Sequence, residues 1–152
     1  GEDLADIHVE STENLKSINC PKKFNSRAID ELILIFLVCA KANGTSYFKN
    51  LGELRHKESD RLSAMQSGLK NIEIETIYNS GKLTIEGKGG DYLIDSGTVD
   101  SFEDHRIAMA FIIAGLRSKK NLVIENTDCI KTSFPEFSYL LDSLGAKINE
   151  IQ

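Results

Sequence analysis

The sequence contains no tryptophan, two prolines and three cysteines in 152 residues. The cysteines Cys20, Cys39 and Cys129 are odd in number and far apart, and they form no CxxC pair. Disulfide frameworks and structural zinc sites use cysteines at close, paired spacings, so the sequence argues against both and favours a reducing compartment. The three histidines also lack the spacing of metal ligands. We therefore expect no metal site in this chain.

The sequence also lacks an apolar run of membrane-spanning length. Its most apolar segment, residues 32–39, is far shorter than the ~20 residues that a transmembrane helix needs. The N-terminal Gly1-Glu2-Asp3 is acidic and shows no signal-peptide pattern. A net charge of −5 argues against non-specific binding to nucleic acid or to anionic membranes, although it is compatible with a local basic pocket. We expect a cytoplasmic protein without nucleic-acid or membrane partners.

Apolar periodicity divides the chain into two similar halves. Each half is predicted to contain a strand, an almost wholly apolar helix, a strand, an amphipathic helix and further strand. The predicted strands are residues 5–10, 45–50, 72–78, 82–86, 92–94, 121–125 and 146–151, and the predicted helices are residues 28–43, 57–70, 104–118 and 134–144. Residues 45–50 and 121–126 match at a spacing of 76 residues, as do apolar positions of the helices. A period of this length indicates a duplicated supersecondary unit.

The first and third predicted helices are apolar on nearly every side. Such helices need cover all round, which predicts an α+β fold with helices inside and sheets around them. A doubly wound open sheet is the alternative. Asn79-Ser80-Gly81 predicts a hairpin turn. Gly87-Lys88-Gly89-Gly90 predicts a flexible connection, because its glycine spacing matches no phosphate-binding loop.

The most highly charged stretch is Leu54-Arg55-His56-Lys57-Glu58-Ser59-Asp60-Arg61-Leu62, at the start of the second predicted helix. Helix N-termini favour acids, yet Lys57 and Arg61 place cations there. Cations at this position are explained if an anion is bound by them and by the unpaired N–H groups of the helix. The alternative is a solvated helix start with local ion pairs, each worth about 0.3–0.5 kcal/mol.

A second helix start repeats this combination of acids and a cation. It reads Glu103-Asp104-His105-Arg106-Ile107-Ala108-Met109-Ala110, with Arg106 in the first turn. Guanidinium groups bind carboxylates and phosphates through two parallel hydrogen bonds, so a ligand with both groups would explain both stretches. The alternative pairs Arg106 with Asp104 or Glu103.

These two stretches resemble the signature sequences of the 5-enolpyruvylshikimate-3-phosphate synthase family. Ile29-Asp30-Glu31 resembles a third motif of that family, and Ser133-Phe134-Pro135 a fourth, in the family's order. The family's fold implies repeated βαβαββ units that form an inside-out α/β barrel. The resemblance implies that residues 1–152 are part of the C-terminal domain, with repeat units at about 5–87 and 91–152. It also implies an N-terminal domain that is absent here, and therefore a fragment that is inactive alone.

The family joins phosphoenolpyruvate to the 5-hydroxyl of shikimate 3-phosphate and releases phosphate, without a metal or an organic cofactor. By resemblance, Asp30 binds that hydroxyl and acts as its base, and Glu58 transfers a proton at the methylene carbon. Lys57 contacts shikimate 3-phosphate, while Arg61 and Arg106 hold phosphoenolpyruvate. This division fits the chemistry, because attack by a hydroxyl on an enol ether that is protonated on carbon needs a base and an acid close together. On dipole grounds alone, Asp30 is an acid that stabilises a helix start.

The sequence departs from the family pattern at two places. Some members have a phosphoenolpyruvate-binding lysine where this chain has Thr132, with Lys131 adjacent, and a substrate-contacting asparagine where it has Glu53. His105 lies beside Arg106 and is expected to position the turn. The rival functions are a UDP-N-acetylglucosamine enolpyruvyl transferase-like enzyme, against which the Lys-Glu-Ser-Asp-Arg run argues, and a non-catalytic anion-binding repeat module.

Overall fold

The computed structural model describes residues 4–12, 14–25 and 27–151. In chain order the elements are α1 (Lys22–Asn25), α2 (Leu32–Ala40), β1 (Asn43–Lys49), a 3-10 helix (Gly52–His56), α3 (Arg61–Asn71), β2 (Thr76–Asn79), β3 (Lys82–Lys88), β4 (Gly97–Asp100), α4 (His105–Gly115), β5 (Leu122–Glu125), α5 (Cys129–Ser133) and α6 (Phe137–Ser143). No helix within these residues is long and apolar enough to cross a membrane.

The first sheet is antiparallel and has β3 between β1 and β2. Alternate residues of β1 and β3 face α2, and Phe48, Leu83 and Ile85 are fully buried there. The predicted hairpin is confirmed, because Asn79 pairs with Lys82 across a two-residue turn. Both turn residues, Ser80 and Gly81, have positive φ (50° and 73°), as a type I′ turn requires.

In the second sheet, β4 and β5 pair in parallel, and α4 lies between them in the sequence. In the first half, parallel bridges Lys16↔Asn43 and Asn19↔Tyr47 place the segment before α2 beside β1 in a similar way. Both apolar helices therefore lie within a connection between two parallel segments. Acidic residues cap the N-termini of two helices. Asp60 caps α3 and Asp104 caps α4 through side-chain hydrogen bonds.

The apolar helices are not covered on every side, so this expectation is wrong for the described residues. One face of α2 is buried, with Leu32, Ile33 and Phe36 at its centre, while Leu34 and Val38 remain half-exposed. On α4, Ile113 is likewise partly exposed. Each of these three side chains keeps between 39% and 50% of its surface exposed. The amphipathic α3, in contrast, buries Leu62, Met65 and Leu69 and keeps a solvent face, as predicted.

The terminal strands predicted at 5–10 and 146–151 are not strands. Ile7, Val9 and Ile151 are at least three-quarters exposed, and neither segment pairs with a strand among the described residues. Ala146 and Ile148 nevertheless pack against a small apolar cluster on α4, α5 and α6. In the middle of the chain, the predicted strand at 92–94 is reduced to one bridge between Ile94 and Ser118. The strand β4 was not predicted, because Val99 is its one large apolar residue.

Several helix boundaries also differ from the prediction. The helix expected over residues 28–43 is shorter at both ends, since α2 spans Leu32–Ala40. The helix expected from residue 57 begins at Arg61, and residues before it form the 3-10 helix and an extended segment at Lys57. The helix expected over residues 134–144 begins only at Phe137, as α6, and a separate short helix, α5, ends at Ser133, so residues 134–136 separate the two. Proline disfavours the helical conformation in the residue that precedes it, which accounts for the break.

Gly87 and Lys88 belong to β3 and not to a flexible connection. A Cβ atom on Gly87 would lie 2.1 Å from the carbonyl oxygen of Ala42 and 2.6 Å from that of Cys39. Both obstacles are backbone atoms at the end of α2, so they cannot rotate away. The glycine is required by this close approach of strand and helix.

We predict that Gly87→Ala lowers the free energy of unfolding by about 1–3 kcal/mol, because the added methyl group forces β3 away from α2. Urea unfolding followed by circular dichroism measures this change. Gly52→Ala is the matched control, since a Cβ atom at Gly52 meets no atom within 4 Å. Equal stability of the two variants would contradict the proposed backbone contact.

Candidate functional site

The centre of the site is a buried ion pair between the first residue of α3 and the cap of α4. The Arg61 side chain is 1% exposed and that of Asp104 is 0% exposed. Arg61 Nε donates to Asp104 Oδ2 at 2.7 Å, and the Ser59 hydroxyl donates to the same oxygen at 3.1 Å. Asp104 Oδ1 accepts the backbone N–H of Arg106 at 2.9 Å and so caps α4. One carboxylate thereby joins the N-termini of two helices.

Arg61 donates to two further carboxylates. Its Nη1 lies 2.8 Å from Asp30 Oδ1, and its Nη2 lies 2.5 Å from Glu58 Oε2. Burial disfavours ionisation of both members of the central pair, but hydrogen bonds and charge attraction outweigh it. As a result the pKa of Asp104 is lowered, chiefly by Arg61, and the pKa of Arg61 is raised, chiefly by Asp104. Both groups remain charged at neutral pH.

Asp30 brings the two basic stretches together. Besides Arg61, it has Lys57 Nζ at 3.5 Å from Oδ1 and Arg106 Nη2 at 3.6 Å from Oδ2. Burial tends to raise the pKa of Asp30, yet the charges of Arg106, Lys57 and Arg61 lower it overall. Asp30 lies in the turn before α2, and its side chain is partly exposed. The carboxylate therefore stands at the surface of a cation cluster and is held ionised.

The predicted candidates differ in accessibility. Arg106 is 39% exposed and Lys57 about one-quarter exposed, so both can meet a ligand directly. Arg61 is buried and pairs with three carboxylates, so a ligand reaches its guanidinium only by displacing one of them. The anion that its position at a helix start implied is thus supplied by the protein itself. Glu53 lies 3.5 Å from Lys57, on the edge of the cluster.

His105 is the first residue of α4 and is half-buried beside Arg106. Lys131 and Thr132 are not brought to the cluster by any contact among the described residues. Lys131 instead pairs with the exposed Asp128 at 2.7 Å, and the Thr132 hydroxyl donates to the carbonyl oxygen of Cys129.

Asp104 and Ser59 are the site residues that sequence reasoning did not identify. The alternative that paired the side chain of Arg106 with Asp104 is wrong. The backbone N–H of Arg106 donates to Asp104, whereas the guanidinium of Arg106 lies beside Asp30. An aspartate directly before an apolar helix is a signal for a cap. No sequence signal connects that cap with Arg61, which lies 43 residues away.

We predict that Arg61→Met lowers the free energy of unfolding of the chain by about 3–5 kcal/mol, because it leaves the buried Asp104 carboxylate uncompensated. Adding Asp104→Asn should recover part of this loss, since asparagine still caps α4 but carries no charge. Urea unfolding of the two single variants and the double variant measures the coupling. Strictly additive losses would contradict a direct ion pair.

The lowered pKa of Asp104 also predicts an acid sensitivity. An unfolded aspartate has a pKa of about 3.9, so the ionised carboxylate stabilises the fold above this pH. That stabilisation is lost as the pH falls through the lower folded-state pKa. Asp30 and Asp60 have pKa shifts of the same sign. Between about pH 7 and pH 3, the free energy of unfolding should therefore fall less steeply with falling pH in Asp104→Asn than in the wild type. Equal pH dependences would contradict the assignment.

Comparison with known proteins shows the family to which this chain belongs. The family model described as EPSP synthase (3-phosphoshikimate 1-carboxyvinyltransferase) matches residues 2–141. The 3-phosphoshikimate 1-carboxyvinyltransferase of Brucella melitensis biotype 1 is 39% identical over 150 residues, which are 99% of this chain and 33% of that protein. The corresponding protein of Magnetococcus marinus is 40% identical over 151 residues, 99% of this chain and 34% of its own. The chain thus spans about a third of the length of these relatives.

Solved structures agree with the sequence comparison. EPSP synthase from Acinetobacter baumannii superposes with a TM-score of 0.82 at 36% identity, over 91% of this chain and 32% of that one. The enolpyruvyl transferase NikO from Streptomyces tendae, at a TM-score of 0.63 and 17% identity, shares the fold alone. With its mixed helices and sheets and with both charged helix starts inside the matched region, this chain belongs to the EPSP synthase family.

Proposed function

We propose that this chain is part of the C-terminal domain of an enzyme that transfers the enolpyruvyl group from phosphoenolpyruvate to the 5-hydroxyl of shikimate 3-phosphate. Family membership supports the reaction, and one observation carries the site assignment. Lys57, Arg61 and Arg106, from two distant stretches, converge on the carboxylate of Asp30 within 3.6 Å. Cations around a base suit two substrates that each carry a carboxylate and a phosphate group.

The domain organisation we propose has two repeat units in this chain, at about 5–87 and 91–152, and further units elsewhere in the protein. Three features support it. Both apolar helices lie between parallel segments. The faces of α2 and α4 that carry Leu34, Val38 and Ile113 are exposed, as expected if a further repeat completes an inside-out α/β barrel. Finally, the chain spans a third of its relatives' length, which leaves room for an N-terminal domain that supplies further substrate ligands.

In the proposed reaction, the oxygen of the 5-hydroxyl bonds to C2 of phosphoenolpyruvate while Asp30 accepts the hydroxyl proton. Glu58 donates a proton to the methylene carbon C3, which completes the addition. The Glu58 carboxylate then takes a proton back from C3, which restores the double bond as the C2–O bond to phosphate breaks. The proton held by Asp30 leaves with the phosphate, so the products are the enolpyruvyl ether and inorganic phosphate. No metal or organic cofactor enters these steps. The low pKa of Asp30 makes it a weak base until substrate anions engage Arg106 and Lys57 and reduce their pull on it.

Arg61 binds phosphoenolpyruvate in this proposal by exchanging partners. Of the three carboxylates on its guanidinium, Asp104 is fully buried, whereas the Glu58 side chain is 51% exposed. A substrate carboxylate that replaces Glu58 on Nη2 keeps the buried charge of Arg61 paired. The same exchange releases Glu58 for proton transfer. In this proposal the guanidinium of Arg61 binds the substrate carboxylate, and Asp104 fixes the position of Arg61.

The remaining candidates have supporting roles in the proposal. Lys57 contacts shikimate 3-phosphate and Arg106 holds phosphoenolpyruvate. Glu53 orients the ammonium group of Lys57 through their 3.5 Å ion pair. His105 positions the start of α4. Thr132 occupies the place of a phosphoenolpyruvate-binding lysine of the family, and Lys131 is the adjacent basic side chain, exposed on α5.

The rival functions receive less support. The comparisons name EPSP synthases at 36–40% identity, whereas the likeness to NikO, at 17% identity, concerns the fold. A coupled phosphate-release assay on the whole protein with both substrates tests the proposal. Replacement of shikimate 3-phosphate by UDP-N-acetylglucosamine distinguishes the other enolpyruvyl transfer. A non-catalytic anion-binding module would release no phosphate with either acceptor. Residues 1–152 alone are expected to be inactive, because proximity of both halves of a divided site supplies much of the rate.

We predict that Asp30→Asn and Glu58→Gln in the whole protein lower kcat by about 10²–10⁴-fold, because they keep shape but remove proton transfer. Arg106→Ala, like Arg61→Ala, should chiefly raise KM for phosphoenolpyruvate, with a smaller fall in kcat. Steady-state kinetics with each substrate varied separates the two effects. The matched control is Arg55→Ala, since Arg55 lies in the same stretch but pairs with Asp60. Normal kcat for Glu58→Gln would remove Glu58 from the mechanism.

A further inference from the structure

The turn between β4 and α4 has an unusual backbone. Phe102 and Glu103 have φ values of 54° and 58°, so two consecutive residues other than glycine occupy the left-handed region. L-residues adopt this region rarely, because Cβ approaches the following carbonyl oxygen. Both side chains are exposed, so burial does not hold them there. Hydrogen bonds must therefore hold the turn.

The hydrogen bonds at this turn are made by Asp100 and Ser101, and both of these residues are in turn bonded to Asn126, the residue after β5. Its amide Nδ2 donates to Asp100 Oδ1 at 2.8 Å, and the same oxygen accepts the backbone N–H of Phe102 at 2.7 Å. The hydroxyl of Ser101, which is fully buried, donates to the backbone carbonyl oxygen of Asn126 at 2.7 Å. We call this group, made of Asp100, Ser101 and Asn126, the Asn126 clamp.

The clamped turn leads directly into the charged cluster. The backbone N–H of Asp104 donates to the carbonyl oxygen of Ser101 at 3.1 Å, which closes the turn just before α4. Asp104 then binds Arg61, and Arg106 follows two residues later. The position of the Asp104 carboxylate, and with it the direction of the Arg61 guanidinium, depends on the conformation of this turn.

We propose that Asn126 is a positioning residue for the phosphoenolpyruvate-binding arginines, acting through Asp100 and the turn of Phe102 and Glu103. It touches no substrate in this proposal, and the proposal rests on the proposed function. Among the described residues, its amide donates to Asp100 and makes no hydrogen bond to Asp30 or to the cations around Asp30. Its effect is to fix where Asp104 and Arg106 enter the site.

A left-handed asparagine after a strand is not by itself the device. Asn50 lies 76 residues earlier, follows β1 and has a φ of 60°, close to the 58° of Asn126. Within residues 27–151, however, the Asn50 side chain makes no hydrogen bond comparable to the contact between Asn126 and Asp100. The two asparagines share residue type and backbone conformation and differ in the clamp. Asn50 is therefore the matched control position.

Three variants of the whole protein test the inference. Asn126→Gly permits the same backbone and keeps the carbonyl oxygen but removes the amide. Asn126→Asp keeps the shape but faces Asp100 with a second carboxylate. Asn50→Gly controls for added chain flexibility.

The expected result is a rise in KM for phosphoenolpyruvate of about 10–100-fold for Asn126→Gly and Asn126→Asp, with a smaller fall in kcat. Asn50→Gly should leave KM unchanged, because its side chain holds no comparable turn. Unchanged KM in both Asn126 variants would overturn the proposal. So would a lowered melting temperature without a change in KM, or an equal effect of Asn50→Gly.

A second readout separates this inference from the proposed function. The Arg61 Nε–H, which is bonded to Asp104, gives a ¹⁵N NMR signal that reports its geometry without turnover. Absence of turnover by the wild-type protein would disprove the proposed function and leave this signal to decide about the clamp. A shift of the signal in Asn126→Gly but not in Asn50→Gly supports the clamp, and an unshifted signal in Asn126→Gly refutes it.

Discussion

The ion pair between Arg61 and Asp104 is the contact on which the site depends. It is completely buried, and it connects the starts of two helices that belong to different halves of the chain. A buried pair contributes little net stability compared with apolar packing, but removal of one member is costly. Its value is therefore geometric, because a charge that must stay paired permits few arrangements of α3 and α4. Asp30, Glu58 and Arg106 all take their positions relative to this pair.

The sequence predicted the parts of the fold that local patterns encode. The apolar helices, β1, β5 and the Ser80-Gly81 hairpin follow from periodicity and turn chemistry. The strand β4 could not be predicted, because four residues with one buried valine carry no period, and its strand character comes from pairing with β5. The alternating termini failed in the opposite way, since an alternating pattern forms a strand only where a partner exists.

The candidate site shows the same limit. Charged residues at two helix starts indicated the right stretches, and the resemblance indicated Asp30. Which acid would pair with which base could not be deduced, because Asp104 and Arg61 meet through tertiary packing alone. The cluster also holds more acid than local sequence suggested. Three cations, Lys57, Arg61 and Arg106, face Asp30, Glu53, Glu58 and Asp104. Such a balance favours a substrate anion only if further cations come from outside this chain.

The long sequence separations within the cluster link ligand binding to folding. Asp30 and Arg106, 3.6 Å apart at their charged atoms, are separated along the chain by the whole of α2, β1–β4 and α3. A partly folded chain in which α4 has not docked has no cation cluster, so it has no binding site to offer. Any anion that binds the cluster consequently selects the docked state and stabilises it by RT ln(1 + [L]/Kd). Docking of the two halves and anion binding at the cluster are therefore linked equilibria, each of which favours the other.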